Sequence, residues 1–484
     1  MQTTGVAIEG ADPRLYNADL APVAPAQRVW TSYNYAALWI AMAHCIPTYM
    51  LASSLIQAGM SAGQAIVTIA LGNCIVLVPI LLNAHPGTRY GIPFPAFARA
   101  SFGVFGANVP AILRALVACG WFGIQTFIGG HAVHKLLTVL WPGWARLGGG
   151  AAPLGLPVPE WITFLAFWAL NMLIVWKGMD AVRVFENWAA PLVLVLTAGL
   201  LGWALRAAHG LGPISSQPSR FHDLRSLWPV FVPSLNAMIA FWATLSLNVP
   251  DFTRFAKDQK AQVIGQAIGL PPTMTIFAGM GVLITSATVV VFGTPIWDPV
   301  DLLARLGNPW IVAVGVVGVV IATISVNVAA NVVSPANDFA NLWPSRIDFR
   351  RGGLLTGVIG VLILPWKLLD PHVYVFAWLG GYSTLLGPIA GILIADYWVV
   401  RRRTLVPEDL YRAHGRYSYR RGVNPKALVA LAAGTLTALS GLAVPALRPL
   451  FDYGWFVGFG VAFALTLLLA SPVHDPSPVL APAE

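Results

Sequence analysis

The sequence has few charged residues: Asp, Glu, Lys and Arg make up only 10% of its 484 residues, whereas soluble globular domains contain about a quarter. Hydrophobic residues account for 57%, and the mean hydropathy is +0.70. The many long apolar stretches do not resemble the core of a soluble protein. This composition excludes a soluble globular domain and predicts a polytopic protein embedded in the lipid bilayer.

Cysteine is also scarce. The three cysteines, Cys45, Cys74 and Cys119, all fall inside apolar segments, so neither a disulfide framework nor a zinc site is expected. We interpret them as small buried hydrophobic residues. Residues 1–27 are polar and rich in Pro and Ala, without a short apolar core, so no signal peptide is expected.

Long apolar runs are what the sequence has in abundance. About 20 apolar residues suffice to cross a bilayer as a helix, and twelve such spans can be drawn. Their approximate limits are 31–57, 62–84, 108–140, 159–176, 187–205, 228–250, 267–292, 309–333, 353–369, 373–398, 427–447 and 452–470. We therefore predict an all-α membrane protein of twelve transmembrane helices.

The distribution of positive charge fixes the predicted topology. With the N-terminus in the cytoplasm, the cytoplasmic segments hold 20 Lys and Arg and the outside segments hold 7. The positive-inside rule then predicts a multi-pass protein of the cell inner (plasma) membrane with both termini in the cytoplasm. The net charge of +9 follows from this topology, and no nucleic-acid binding is expected.

These spans divide the chain into five parts. They are a cytoplasmic N-terminal tail (1–27), a core of ten helices (28–400), a basic cytoplasmic loop (401–426), two additional helices (427–470) and a cytoplasmic C-terminal tail (471–484).

Prolines interrupt two of the predicted spans. Pro47 lies past the middle of the first span, and the sixth contains Pro229 and Pro233 and closes at Pro250. The first and sixth spans correspond if the core consists of two five-helix halves. Interrupted helices at matching positions of two halves point to a midplane binding site in inverted-repeat transporters. The alternative is that the prolines only kink these helices, as they often do in membranes.

A tryptophan and a glutamine share one face of the third span. Trp121 and Gln125 are four residues apart, so they lie on the same side of a helix. Lipid does not favour a carboxamide, and an interfacial aromatic belt would not place a tryptophan at mid-span. The pair suits a flat, uncharged ligand with hydrogen-bonding groups. A packing tryptophan beside an interhelical amide is the alternative, and the pair alone does not decide between them.

Other polar and aromatic residues lie at mid-span. Asn327 and Asn331 are one turn apart in the eighth span, with Thr323 and Ser325 nearby, which suggests a lined cavity. Trp242 lies in the middle of the sixth span and, on its own, is typical of a core residue.

Three histidines also lie within predicted spans. His44, His131 and His134 either carry protons or are hydrogen-bonded structural residues. The last two can reach the outer interface, and the sequence leaves all three roles open.

A series of motifs covers roughly residues 28 to 400. The first run is IPTYMLASSLIQAGMSAGQAI, followed by LGNCIVLVPILLNAHPGTRYGIPFPAFARASFG and RALVACGWFGIQTFIGG. Later runs are VFENWAAP at 184–191, FWATLSLNVPDFTRFAK at 241–257 and NVAANVVSPANDFANL at 327–342. In order and spacing these motifs resemble the nucleobase–cation symporter-1 family, which includes hydantoin, allantoin, cytosine and uracil permeases. The last two spans and the tails resemble the family only in hydropathy.

The resemblance implies a fold and a substrate site. The family has the leucine-transporter-like fold, with two inverted five-helix repeats and two extra helices. In its hydantoin transporters the substrate ring lies between two tryptophans, which by motif are Trp121 and Trp242 here. The corresponding amides, Gln125 and Asn331, hydrogen-bond the edge of the ring. A carboxamide both donates and accepts, so it can mirror the N–H/C=O edge of nucleobases and hydantoins.

The resemblance also implies a sodium site, with one departure. By motif its ligands are the carbonyls of Ala37 and Ile40 in the broken first helix, and Ala322 with Ser325 in the eighth. Where the family offers a second hydroxyl, this chain has Val326. Because valine provides no oxygen for a hard cation, the site is weakened, and either Na+ or H+ remains as the coupling ion.

These expectations together describe a secondary active transporter. We expect it to import a small neutral nitrogen heterocycle, such as hydantoin, allantoin, uracil, cytosine or a purine, with a co-transported cation by alternating access. An amino-acid or other small-solute symporter of the same fold is the alternative. A membrane enzyme would need clustered catalytic groups, and no such constellation is found; a channel or receptor would not move substrate against its gradient. No cofactor is expected, and the heterocycle and the oligomeric state stay open.

Overall fold

The computed structural model describes residues 5–177, 194–296, 298–306, 309–369 and 373–470. In these ranges every regular element is a helix, apart from three isolated β-bridges. Helices α1 to α8 are Ser32–Ala43, Ile46–Gln57, Ala62–Tyr90, Phe94–Phe102, Asn108–Leu140, Val158–Lys177, Leu194–Ala207 and Leu211–Ser215.

The second half of the described chain continues in the same way. Helices α9 to α14 are Leu224–Phe241, Ala243–Asn248, Pro250–Thr253, Gln259–Phe292, Pro299–Arg305 and Pro309–Asn331. Helices α15 to α20 are Val333–Leu342, Phe349–Leu362, Gly380–Ile394, Pro425–Ala443, Arg448–Asp452 and Gly454–Leu468. Two π-helical segments, Val373–Leu379 and Ala395–Val400, flank α17. Short 3-10 turns occur at Pro25–Gln27, Trp144–Arg146, Pro153–Gly155, Pro365–Leu368, Pro407–Tyr411 and Pro445–Leu447.

The described residues contain eight helices long and apolar enough to cross a membrane, or ten if each of two bent pairs counts as one span. The chain is thus a multi-pass membrane protein. The predicted fifth span, 187–205, begins among residues outside the described ranges. The predicted ninth span is represented by α16, which has only 14 residues. The count of twelve therefore stays a prediction.

The first span is broken where the sequence predicts an interruption. Helices α1 and α2 meet at 60°, with His44 and Cys45 between them. Pro47 lies in the first turn of α2, where its missing N–H costs nothing, so the break falls on the N-terminal side of the proline.

The sixth span is interrupted at a tryptophan and not at a proline. Trp242 has φ −102° and ψ 4°, which separates α9 from α10. Pro229 and Pro233 are accommodated inside α9. The prolines of this span therefore predict an interruption but not its position.

The two halves of the core repeat one order of elements. An interrupted span, a long helix, a short helix and a second long helix occur as α1–α2, α3, α4, α5 and again as α9–α10, α12, α13, α14. This is the order of two five-helix repeats in a leucine-transporter-like fold, and it sets the two interrupted spans in equivalent positions.

Two tyrosines of the tenth span form hydrogen bonds next to the interruptions of the first and sixth spans. The Tyr374 hydroxyl donates to the carbonyl oxygen of Pro47 at 3.2 Å, in the first turn of α2. The Tyr382 hydroxyl donates to the carbonyl oxygen of Ala240 at 2.8 Å, in the last turn of α9. The Ala240 carbonyl is among the last four of α9, which lack α-helical partners. The Pro47 carbonyl lies inside α2, where the Tyr374 hydroxyl adds a bond from outside the helix. These tyrosines therefore stabilise the two breaks from one neighbouring helix.

A fully buried ion pair joins the third span to the helix after the eighth. Arg114 Nη1 on α5 lies 3.2 Å from Asp338 Oδ2 on α15, and both side chains have 0% exposure. Nearby, Asp251 Oδ1 accepts the backbone N–H of Phe94 at 2.9 Å, which caps α4. These contacts hold the short helices α4, α11 and α15 against the core.

The N-terminal segment 5–31 packs across the end of the molecule that carries loop 401–426, which we call the basic end. Tyr411 in that loop donates its hydroxyl to the carbonyl oxygen of Leu20 at 2.7 Å. Arg254 donates to the carbonyl oxygen of Asp19 at 2.8 Å, and Asn17 donates to that of Pro344 at 3.3 Å. The segment thus touches two connections of the second half and the loop that follows the core.

Candidate functional site

The predicted site residues of the third span lie in the interior. Trp121 and Gln125 are 5% and 4% exposed on α5. The one-turn spacing places both on the same side of this helix, as the sequence predicts. Trp242, at the interruption of the sixth span, is 3% exposed.

A chain of aromatic rings connects the two predicted tryptophans. Trp121 meets Phe241 with ring centroids 5.1 Å apart and a 76° interplanar angle. Phe241 meets Trp242 at 5.0 Å and 85°. Trp242 in turn meets Trp39 of α1 at 5.1 Å and 86°. All three contacts are edge-to-face, a favourable arrangement of aromatic quadrupoles. The Phe241 ring, which sequence reasoning missed, is thus in contact with both predicted walls of the site.

Two aromatic residues of the tenth span lie against Trp121. Trp378 lies 6.2 Å from Trp121 between ring centroids, and Tyr374 lies 6.0 Å from it. A methyl group at Gly120 would come within 2.2 Å of the Trp378 ring, so only glycine permits this approach. Gly120 is the feature of the sequence next to Trp121 that indicates a close ring contact here. A glycine in a membrane helix, however, does not identify which ring it accommodates.

The two asparagines of the eighth span have different surroundings. Asn327 Nδ2 donates to the Phe122 carbonyl at 3.3 Å and to Thr126 Oγ1 at 3.0 Å, both on α5. Asn331 Nδ2 donates to Asn327 Oδ1 at 3.0 Å. Asn327 therefore fastens α14 to α5, next to the turn that carries Trp121 and Gln125. Asn331, 6% exposed, retains its carbonyl oxygen as an acceptor.

Several buried polar atoms in this region have no hydrogen-bond partner within the described residues. They include the Gln125 carbonyl oxygen Oε1 and the indole nitrogens Nε1 of Trp242 and Trp378. Buried polar groups are normally paired, because an unpaired one costs roughly 1–3 kcal/mol. An acceptor and indole donors among aromatic rings can recognise a flat, neutral ligand that both donates and accepts.

The residues implied as sodium ligands lie on two packed helices. Helix α1 contacts α14. Ile40 is among the last four residues of α1, whose carbonyls lack intrahelical partners, whereas Ala37 lies further inside the helix. His44 Nδ1 hydrogen-bonds with the Ile40 carbonyl oxygen. Ala322 is buried in α14, and the Ser325 side chain lies outside the described part of the structure.

Val326, which stands where the resemblance implies a second hydroxyl, lies in α14 with Ala322. Val326 is 4% exposed and belongs to the hydrophobic core. The position at which the resemblance implies a hydroxyl thus holds a buried apolar side chain. The Thr323 hydroxyl, three residues earlier on the same helix, is buried and has no hydrogen-bond partner among the described residues.

His131 and His134, the other two histidines predicted within spans, belong to a polar cluster near the C-terminal end of α5. His131 Nδ1 lies 3.1 Å from Glu160 Oε1, and His134 Nε2 lies 3.6 Å from the same oxygen. The Trp144 indole donates to His134 Nδ1 at 3.0 Å. Lys135 pairs with Asp301 at 2.9 Å. Both histidine side chains are partly exposed, in agreement with a position near the interface.

Known permeases resemble this chain over most of its length. Residues 22–458 match the family described as "Permease for cytosine/purines, uracil, thiamine, allantoin". The allantoin permease of Bacillus subtilis (strain 168) is 45% identical over 465 residues, covering 96% of this chain and 94% of that protein. The purine-uracil permease NCS1 of Arabidopsis thaliana is 43% identical over 471 residues, covering 96% and 78%. The structure of Mhp1, a nucleobase-cation-symport-1 family transporter in a closed conformation with bromovinylhydantoin bound, superposes with a TM-score of 0.78 at 26% identity, covering 94% of this chain and 95% of that chain.

Proposed function

Because the chain belongs to the nucleobase–cation symporter-1 family of permeases, we propose that it imports a small neutral nitrogen heterocycle with a ureido edge, allantoin being the first candidate. It is a membrane transporter and not an enzyme. The mechanism is alternating access about a site between the two interrupted spans.

The observation that supports this proposal best is the aromatic chain at the interruption of the sixth span. Trp121 and Trp242 flank Phe241. Gln125 lies one turn from Trp121, and its carbonyl oxygen has no hydrogen-bond partner within the described ranges. In our proposal the substrate ring stacks on the two indoles, and Gln125 and Asn331 bind its polar edge. The scarcity of charge in this region favours a neutral ligand over a zwitterion, because an amino acid would leave its ammonium and carboxylate poorly solvated.

Transport by this family is coupled to a cation, and we propose that the coupling ion binds between α1 and α14. The candidate ligands are the carbonyls of Ala37, Ile40 and Ala322, together with Ser325. Val326 weakens this site for sodium, so a proton is the alternative coupling ion.

The proposed location is the plasma (inner) membrane, with both termini and the basic loop 401–426 in the cytoplasm. The support is the excess of Lys and Arg in the segments assigned to that side.

A binding screen tests the function directly. The purified full chain is titrated with allantoin, hydantoin, uracil, cytosine and a purine, with and without sodium, while thermal unfolding is followed. We expect saturable stabilisation by at least one ureido or imide heterocycle and none by free amino acids. Stabilisation by amino acids alone would contradict the proposal. Uptake of the binding heterocycle against its gradient in reconstituted vesicles then distinguishes a transporter from a receptor.

A further inference from the structure

A large cavity lies at the basic end, away from the proposed substrate site. Its volume is about 1510 Å³, and it lies among the end of α17 with its π-helical extension, the start of α18 and the end of α20. The run Ala377–Val400, which contains α17 and its π-helical extension, and helix α18 are each long and apolar enough to span a membrane, and α20 belongs to a bent pair that passes the same test. The cavity is therefore situated where these helices leave the bilayer.

The polar wall of this cavity carries an excess of positive charge. Its lining contains five cationic side chains, Arg401, Arg402, Arg416, Arg420 and Lys426, against the single carboxylate of Asp396. That carboxylate forms an ion pair with Arg401, whose Nε lies 2.7 Å from Asp396 Oδ2.

Two of these cations are available to a ligand. Arg402 and Arg420 are exposed, and within the described residues neither forms an ion pair. Arg416 differs from them, since its Nε lies 3.9 Å from Asp409. Within the described residues, Arg402 and Arg420 can therefore bind an anion without first losing a carboxylate partner.

Another wall of the cavity is apolar. Ile392, Val399 and Val400 line it from the α17 side, and Leu467 and Leu469 from the end of α20. Val399 is 50% exposed, and the adjacent Leu468 is 79% exposed. Apolar side chains with this exposure at the end of a spanning helix face lipid. Tyr417 and Tyr419 also line the cavity, and amphipathic rings of this kind are typical of the headgroup level.

We propose that this cavity is a binding site for an anionic phospholipid, with the phosphate at Arg402 and Arg420 and the acyl chains along the apolar wall. Basic pockets between spanning helices on the cytoplasmic side suit lipid headgroups of this charge. A free phosphate would need only the cationic wall, whereas the lipid uses both walls.

The test uses the purified full chain in a neutral detergent. Thermal unfolding is followed during titration with palmitoyl-oleoyl phosphatidylglycerol, with phosphatidylcholine of the same chains, and with glycerol 3-phosphate, which lacks acyl chains. We expect saturable stabilisation by phosphatidylglycerol alone. Arg402→Gln/Arg420→Gln should weaken half-saturation by about tenfold, since each cation near an anionic headgroup contributes substantially. Arg402→Lys/Arg420→Lys retains the charge and should retain most of the binding.

A matched control removes two charges from the same end outside the cavity. Lys257 and Lys260 are exposed and do not line it, so Lys257→Gln/Lys260→Gln should bind phosphatidylglycerol like the unaltered chain. If both double glutamine variants lose phosphatidylglycerol affinity to the same extent, binding reflects diffuse charge attraction and the proposal is overturned. Equal binding of phosphatidylcholine, or saturable binding of glycerol 3-phosphate, would also overturn it. Unfolding temperatures without lipid establish that each variant is folded.

Discussion

Trp121 is the residue on which the stacking proposal depends most directly. Trp121→Ala should lower heterocycle affinity by at least about tenfold, because an aromatic contact contributes roughly 1 kcal/mol beyond the burial of its area. Trp121→Phe should retain part of the affinity. The measurement is equilibrium binding of a radiolabelled heterocycle to purified protein. Trp228→Ala is the control, since Trp228 is 53% exposed and lies on the first turns of α9. Unchanged affinity in a folded Trp121→Ala variant would contradict the stacking of substrate on this ring.

Gln125 is expected to recognise the polar edge of the substrate. Its carbonyl oxygen is buried and has no partner in the described part of the chain. Gln125→Ala leaves a polar group of the ligand unmatched, at a cost of roughly 1–3 kcal/mol, so affinity should fall about 5- to 150-fold. Asn331→Ala should act in the same direction. The unaltered protein should also discriminate against an N-alkylated analogue that cannot donate. If that analogue binds as well as its parent, hydrogen bonding does not determine recognition.

Val326 determines the expected response to sodium. A site that needs about six oxygens loses one where valine replaces a hydroxyl, so sodium at about 150 mM should change substrate affinity little in the unaltered chain. Val326→Thr should introduce a several-fold stimulation. Affinity is measured with sodium and with choline at equal osmolarity. Strong stimulation without the substitution would mean that the other ligands, with Thr323 as a further candidate, already suffice.

Among the elements, the contact between α5 and α15 depends on one buried pair. Removing one partner of a buried ion pair strands the other charge, at roughly 3–5 kcal/mol. Asp338→Ala should therefore lower the unfolding temperature markedly, as should Arg114→Ala. Replacing both by leucine should restore much of the loss, since no unpaired charge remains. A double-mutant cycle on thermal unfolding measures this coupling. Additive losses would show that the pair does not act as a unit.

The sequence predicts the family, the all-helical fold and the existence of the first break, and these predictions are confirmed. Apolar runs and Pro47 are local signals, and each can be recognised without knowledge of distant parts of the chain. The prolines of the sixth span likewise predict an interruption, but its position at Trp242 has no local signal, because neither proline nor glycine is present there. The pairing of Arg114 with Asp338 could not be predicted either, because the two residues lie 224 positions apart and no spacing rule relates them.

The site shows the same division between local and distant information. Trp121 and Gln125 stand out because a helix places them on one face. Phe241, Tyr374 and Trp378 are aromatic residues in apolar runs, where aromatic residues are common, and only the fold brings their rings against Trp121. The roles of the site residues and the weakened sodium site stay predictions, for which the experiments above provide the tests.

For the whole molecule, the main prediction concerns orientation across the membrane. In a Cys74→Ala background, which removes the one exposed native thiol of the three, Ala151→Cys and Glu408→Cys each add one exposed site. A membrane-impermeant thiol reagent added to intact cells should label Ala151→Cys only. Both should react once the membrane is permeabilised, which is the control for accessibility. Labelling of Glu408→Cys in intact cells would reverse the proposed topology.

The packing of the N-terminal segment has a consequence for biosynthesis. The hydrogen bond between the Tyr411 hydroxyl and the Leu20 carbonyl joins residues 391 positions apart in the chain. At roughly 5–20 residues per second, the ribosome completes that interval only after about 20–80 s. Throughout this time the Leu20 carbonyl lacks the hydrogen bond from Tyr411, while the later helices are inserted. The basic end is therefore completed only after loop 401–426 has been synthesised, and a nascent chain stalled before Tyr411 lacks this contact.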